Sequence, residues 1–461
     1  MDENTIFQSP SGSQNPPESQ KQEALVGNPV TPPPPDDLPS APPPSKLFKI
    51  LKILLGVVAV LIVIFLVFNF VLPKIFPGSS LAKVTLTYWG FEDQAVFQPV
   101  ISEFEKNNPN IEITYVKQDR KQYRERVVTR SSNGNGPDVF KFHNSWVPML
   151  SDLLLPLPES VITKEEFAKI YYPVASSDLI KNGVIYGVPL EVDTLNLYIN
   201  SDLFKAAGLN PPTTWIEFRD DARQLTVKDE NNNIKTSGVA MGTFDNITHA
   251  PDIISMLFAQ NGVNLKNISS SPQEVSDALN FYTSFALPQA NVWNDTFDES
   301  VKVFASGSLA MYFGYSSDFF TIKSINPNLS FNIYPVPNLP GQKATVASYW
   351  AEGASSKSEH QKEALLFLKY LAQKETQQKL FTEESKIRNF GKPYARVDLA
   401  DKLNNSAIYP FVSSAQFAVS SFFVDGTYDN GLNSQMNNHL NTAVDSILRG
   451  SSPQSATETL S

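Results

Sequence analysis

The chain has 461 residues, 34 prolines, four histidines, no cysteine and a formal net charge of −10. The acidic balance argues against nucleic acid, which requires a basic surface, and the lack of cysteine excludes thiol catalysis, cysteine-ligated metals and lipid attachment through cysteine. Residues 1–46 carry Thr31-Pro32-Pro33-Pro34-Pro35 and Pro42-Pro43-Pro44 with few large apolar side chains. Such a segment cannot offset its ordering entropy, so a disordered tail with stretches of polyproline II is expected. From Ile53 to Leu72 the chain is uncharged and almost wholly Val, Ile, Leu and Phe, roughly the 20 residues a helix needs to cross a bilayer. The run ends in Asn69-Phe70-Val71-Leu72-Pro73-Lys74 with no small-residue cleavage site, which reads as an uncleaved anchor over residues 47–73. Lys46, Lys49 and Lys52 precede it against Lys74 and Lys83 beyond. That bias leaves the tail in the cytoplasm and places the rest outside, extracellular or periplasmic, on a single-pass membrane protein.

The remaining globular part, residues 79–455, is too long for one core and suits two lobes. Val84 to Trp89 reads as a buried strand, and Phe97, Val100, Ile101 and Phe104 share one helix face. Ile111, Ile113 and Tyr115 alternate as a strand, a helix follows over Tyr123 to Arg130, and Pro137 to Phe142 opens a third strand. A βαβαβ order implies parallel strands with right-handed crossovers, and ligands bind beyond the carboxyl ends of such strands. The loops Gly90-Phe91-Glu92-Asp93 and His143-Asn144-Ser145-Trp146 then share one edge. Further on, Thr214-Trp215-Ile216-Glu217 is a capping box ahead of a helix face of Trp215, Phe218, Ala222 and Leu225. Gly238 to Gly242 is a short strand followed by the polar loop Thr243 to His249, and Pro251 suits the first turn of a helix reaching Asn261-Gly262. Leu309 to Gly314 and Phe331 to Pro335 read as strands, Lys362 to Leu371 as an amphipathic helix, and Leu432, Met436, Leu440, Val444 and Ile447 as a last helix.

Several blocks carry a resemblance: Tyr88-Trp89-Gly90, Pro137-Asp138-Val139, Tyr186-Gly187-Val188-Pro189-Leu190-Glu191-Val192-Asp193-Thr194, Leu197 to Phe204, Gly208-Leu209, Pro212-Thr213-Thr214-Trp215, Phe304 to Met311 and Ala364 to Leu371. In order, and over residues 82–450, they resemble the family 1 extracellular solute-binding proteins, the maltose-binding-like and mostly sugar-binding components of ABC importers. The resemblance implies an α/β fold of two lobes, each a mainly parallel sheet flanked by helices. Hinge strands would join the lobes, which close on a ligand and deliver it to permease subunits. It further implies a first crossing near Leu190 to Asn196, with lobe 1 over 83–193 plus 310–352 and lobe 2 over 194–309 plus 353–450. Two departures stand out: family members commonly tether through an acylated cysteine, and they commonly have small residues where this chain reads Ser348-Tyr349-Trp350-Ala351-Glu352-Gly353.

A sugar presents hydroxyls and apolar ring faces. Trp89, Phe91, Tyr315, Tyr349 and Trp350 are the candidate stacking rings; Glu92, Asp93, Asn144, Glu191, Asp193, Asn246 and Glu352 are the candidate hydrogen-bonding groups. Glu191 and Asp193 point the same way in a strand and serve either the ligand or the hinge; Arg388 is either a lobe salt bridge or a ligand group. This set is rich in carboxylates and poor in Lys and Arg, which disfavours an anionic ligand and makes a cationic or amino-bearing solute the nearest rival to sugar. A carboxylate pair could also serve a glycosidase, and a ligand-sensing receptor that signals through a partner is a further reading. No His-Glu-x-x-His or Gly-x-Ser-x-Gly is present; the expectation is a binding protein without catalytic residue, metal or cofactor. Asp229 to Asn233 begins like a calcium loop, but Ile234 and Ala240 stand at its glycine and glutamate positions, so a surface turn is expected. Tyr171-Tyr172, a pair of a kind that can hold ferric iron, lies outside the block where iron-binding relatives carry theirs.

Overall fold

The computed structural model describes residues 46–67 and 83–460, and the chain divides into two units, residues 1–79 and 80–461. In the first unit, helix α1 (Lys46–Leu66) leaves its apolar side chains from Leu54 to Leu66 exposed. The anchor expected over Ile53 to Leu72 lies partly outside the described residues, as does the tail expected over residues 1–46. Among the described residues no helix is long and apolar enough to cross a membrane.

The second unit opens with the expected βαβαβ run: β1 (Val84–Gly90), α2 (Gln94–Asn107), β2 (Ile111–Lys117), α3 (Tyr123–Ser132) and β3 (Val139–His143). β1 pairs in parallel with both β2 and β3. Helix α2 buries Val96, Phe97, Val100, Ile101 and Phe104 on one face, the side the spacing predicts. After α4 (Pro173–Leu179) and the short β4 (Val188–Pro189), the chain crosses to a second sheet at β5 (Asn196–Asn200). Helix α5 (Trp215–Gln224) starts with the predicted capping box, Thr214 and Glu217 each satisfying the other's backbone. Strands β6 (Val227–Lys228) and β7 (Ile234–Val239) follow, joined by the surface turn that Asp229 pins by accepting from the backbones of Asn231 and Asn233. α5 lies so close on β7 that a Cβ on Gly238 would sit 1.9 Å from the Ala222 carbonyl oxygen. Then come α6 (Ala250–Gln260), β8 (Leu309–Gly314), α7 (Ser316–Ile325) and β9 (Phe331–Tyr334), giving the sheet order β9-β5-β8-β7-β6.

The expected return to the first lobe at Ala310 is not what the strands do. β8 pairs antiparallel with β5 and parallel with β7, and β9 pairs with β5, so both belong to the second sheet. The chain returns only after β10 (Thr345–Val346), when β11 (Trp350–Ala354) pairs antiparallel with β3 and β4 to complete the order β2-β1-β3-β11-β4. Nor does the chain re-enter the second lobe after Gly353. Helices α8 (Gln361–Leu371) and α9 (Lys374–Ile387) pack on the first: Phe367 meets Tyr88 and Phe104 edge-on, and Lys379 pairs with Glu103 at 2.6 Å. The final crossing comes with β12 (Ala418–Val419), ahead of α10 (Leu432–Leu448), which carries the predicted last apolar face.

Three segments therefore form the hinge. Leu195 N donates to Val346 O at 2.9 Å, Ser348 N to Asp193 O at 3.1 Å, and Ala347 N to Val419 O at 2.9 Å. These backbone hydrogen bonds join the three crossing segments to one another between the two sheets.

Candidate functional site

The carboxyl ends of β1 and β3 and the start of β11 meet at one edge of the first sheet, as the topology requires. Trp350 meets Phe91 (ring centroids 4.6 Å), Trp146 (5.1 Å) and His143 (5.3 Å) in near-perpendicular, edge-to-face contacts. Phe91 also meets Tyr123 at 4.7 Å, and Trp89 lies 6.4 Å from the same ring. The Arg120 guanidinium covers this cluster, 5.2 Å from Phe91 and 5.8 Å from Trp350. Trp89, Phe91 and Trp350, the candidate stacking rings of this edge, belong to one aromatic cluster and are no more than 9 % exposed, so they pack in the core rather than stand open for stacking. His143, between Ser145 Oγ (2.8 Å) and Ser348 Oγ (3.0 Å), stays neutral because burial and Arg120 push its pKa down to about 3.

Glu92, Glu191 and Glu352 also converge, on two lysines the sequence reading left out. Lys141 Nζ lies 3.0 Å from Glu92 and 3.1 Å from Glu352, while Lys392 contacts Glu92 and sits 2.9 Å from Glu191. Burial pushes the Glu92 pKa up, but Lys141 and Lys392 overcome it and hold the carboxyl well below the usual range. Glu352 is fully buried, and neither of its oxygens receives a directed hydrogen bond. Burial lifts its pKa to about 7 against the pull of Lys141. Two cations balance two carboxylates, and the third is the one that protonates. A strand reading Val-Phe-Lys-Phe-His is itself a signal: a lysine buried on both faces of a sheet requires carboxylate partners.

Asp193 belongs to the hinge. It accepts from Ser316 N and Oγ and from Thr194 N, which ties the first crossing to the start of α7, and burial raises its pKa to about 7. Tyr315 donates to Asp252 at 2.6 Å. Nearby, His249 joins Asp318 (2.8 Å) to Asp425 (3.2 Å); against the effect of burial, these two carboxylates raise its pKa well above the ordinary value. Asp93 caps α2. Asn246 donates to the carbonyls of Asn294 (2.9 Å) and Phe297 (3.2 Å), bracing its own loop. Arg388 is the lobe salt bridge of the two readings, 2.8 Å from Glu384, with its guanidinium over Phe320.

Asn144 and Tyr349 are both buried and both donate to Asp178. Asn144 and Asp178 line a cavity of about 330 Å³ whose wall also includes Val147, Lys181, Lys266 and Ser420, a size that suits a small-molecule site; Tyr349 stands behind Asp178, outside the lining. The cavity wall comes from both lobes and the last hinge segment. Asp178 is the group here that sequence reasoning missed; an Asp following two serines in a short helix carries no signal of its partners. A second, wider groove runs along Asp119 to Gln122 and Tyr428 to Asn430. There the exposed Tyr428 (φ +51°) faces Gln122 (φ +52°), whose N–H donates to its carbonyl.

The profile of the bacterial extracellular solute-binding proteins matches residues 88–378. Among curated relatives, the multiple sugar-binding protein of Streptococcus mutans is 24 % identical over 314 residues, 65 % of this chain and 73 % of its own. Among solved structures, an ABC transporter solute-binding protein of Thermotoga lettingae bound with α-D-tagatose superposes with a TM-score of 0.63 at 24 % identity, covering 82 % of this chain and 97 % of its own. The sugar-binding protein MalE of Xanthomonas citri gives 0.65 at 19 % identity, with 82 % and 95 % covered.

Proposed function

The chain belongs to the bacterial extracellular solute-binding proteins, and from that premise we propose that it captures a sugar or oligosaccharide between its lobes and hands it, unaltered, to an ABC-type permease. The observation that carries this reading is the cavity of about 330 Å³ walled by both lobes and by a hinge segment, so that occupancy and lobe closure are coupled. The relatives named for sugars support the substrate class. The apolar run Ile53 to Leu72 supports a single-helix anchor that keeps the binding lobes outside the cell membrane, beside the permease.

Two rivals lose their basis. A glycosidase needs one protonated and one ionised carboxyl flanking a substrate bond, yet Glu92 and Glu352 face buried Lys141 rather than the cavity. The rival reading, a cationic solute, rested on a surplus of free carboxylates; Glu92 and Glu191 are neutralised by Lys392 and Lys141. The test is thermal unfolding of the full-length chain in detergent against mono- and oligosaccharides and polyamines, with the sugar recovered and analysed afterwards. A sugar at ~100 times its dissociation constant adds about 2.7 kcal/mol and returns intact. Stabilisation by a polyamine alone, or a cleaved sugar, overturns the reading.

A further inference from the structure

Between the last hinge strand β12 and helix α10 the chain runs through residues 420–431, and the two halves of this segment are fastened to different lobes. The first half holds to the second lobe. Ser255 Oγ on α6 donates to Phe423 O at 3.0 Å, Asp425 N donates to Asp252 Oδ2 at 2.8 Å, and Asp425 pairs with His249 at 3.2 Å. The second half holds to the first lobe, at the start of α3. Gln122 N donates to Tyr428 O at 3.1 Å, Asn430 N donates to Glu125 Oε1 at 2.9 Å, and Arg124 Nε stands 3.3 Å from Asp429 Oδ2. Gly431 approaches so closely that a Cβ there would lie 2.6 Å from Arg124 Nη2.

Asn433 completes the set from the first turn of α10, a helix tied to the second lobe where Asn441 Nδ2 donates to Asp245 Oδ1 at 2.8 Å. Asn433 is fully buried. Its Oδ1 accepts from Trp146 Nε1 at 3.0 Å and from Ser145 Oγ at 3.1 Å, both in the loop after β3, while its Nδ2 donates to Phe422 O at 3.1 Å. A side chain rooted in one lobe thus satisfies the buried indole N–H of the other. Asp429 is buried as well, with Arg124 against it. Removing one member of either contact while the lobes stay joined leaves a buried donor or a buried carboxylate without its partner, a cost that parting the lobes relieves by admitting water. At the same junction Gln122 and Tyr428 both hold left-handed backbone, φ +52° and +51°, a conformation that residues other than glycine keep only where the surrounding contacts impose it.

We propose that residues 421–433 are a latch that ties lobe to lobe through the chain's own side chains, with Asn433 and the Arg124–Asp429 pair as the positioning residues that set the balance between joined and parted lobes. A ligand that enters only between parted lobes then binds more weakly in proportion to the fraction of chains in which the latch is shut. The latch acts with no ligand present, so it stands or falls apart from the sugar reading above.

The test is a distance measurement by pulsed electron spin resonance on the full-length chain in detergent, with no sugar added. The chain has no cysteine of its own, so Thr129→Cys on α3 and Asp295→Cys in the second lobe, both exposed, carry one spin label each. Into this labelled chain go Asn433→Leu, which removes the acceptor of Trp146 and Ser145, and Arg124→Gln, which takes the cation from Asp429. With the latch intact the labels should give one short-distance population, and each variant should raise the ratio of parted to joined lobes by roughly tenfold or more, read as a second, longer distance. Thermal unfolding recorded alongside separates a latch from ordinary packing: a lowered unfolding temperature with unchanged distances overturns the proposal. Lobes already parted in the chain with its latch intact overturn it too. Where Asn433→Leu does not fold, the distances in Arg124→Gln decide alone.

Discussion

Replacing Glu352 by Gln should stabilise the protein in alkaline solution and leave it unchanged in acid. Glu352 is fully buried on β11, its oxygens lack directed hydrogen bonds, and its nearest cation, Lys141, is shared with Glu92. Its pKa is about 7 in the fold against 4.5 in an unfolded chain. A carboxyl raised in this way contributes stability that is complete below pH 4.5 and is lost as pH climbs through about 7. At ~1.36 kcal/mol per pKa unit, ionising it in place costs about 3 kcal/mol. The amide of the Glu352→Gln variant cannot ionise, and Lys141 retains Glu92 at 3.0 Å. Asp178, Asp193 and Asp252 also carry raised pKa values, but they are present in both proteins and cancel from the difference. Urea midpoints read by tryptophan fluorescence should therefore coincide near pH 4 and diverge by about 3 kcal/mol near pH 9, the variant being the more stable. Parallel curves would refute the assignment of Glu352 as the surplus carboxylate. A variant less stable at pH 9 would show that Lys141 depends on an ionised Glu352 as its counter-ion.

Three further outcomes are expected. Trp350→Ala removes the ring on which Phe91, Trp146 and His143 converge and should cost about 3–5 kcal/mol in chemical denaturation; a cost below about 1 kcal/mol would mean the ring is not part of the core. His249→Asn, chosen because Asn tolerates the left-handed backbone at this position (φ +65°), removes the charge between Asp318 and Asp425. A raised histidine stabilises below its unfolded pKa and ceases to as pH rises through its folded value, so the loss should be larger at pH 5.5 than at pH 10; equal losses would argue against a charged His249. Gly238→Ala places a methyl against the Ala222 carbonyl and should lower the yield of folded protein and its unfolding temperature; wild-type stability would mean that α5 can lift from β7.

Local order was legible where one residue's neighbours along the chain decide its state. Phe97, Val100, Ile101 and Phe104 recur at helical spacing, and α2 buries them all, with Val96 beside them; Thr214 and Glu217 sit three apart, and the capping box forms. Lobe membership was not legible in the same way. Leu309-Ala310-Met311-Tyr312-Phe313-Gly314 is buried at every position, so its pattern says only that strands lie on both sides. Whether those neighbours are β5 and β7 or β3 and β4 depends on pairings made far along the chain. The site divides along the same line. The topology rule brought the loops after β1 and β3 to one edge, but each candidate's availability is set by partners distant in sequence.

That distance has a direct consequence for ligand choice. Counting acidic residues near the cleft suggests a negative field, and hence a taste for cations. The count fails because Lys392 meets Glu92 across 300 residues of chain and Lys141 is hidden in an apolar strand. A buried cation is tolerated only beside its anions, so each such lysine subtracts carboxylates from the cleft as well as adding charge. What remains facing the cavity is one aspartate oxygen, hydroxyls, amides and two lysine ammoniums. Such a surface discriminates by hydrogen-bond direction rather than by charge, and a neutral ligand dense in hydroxyls is the class that direction selects.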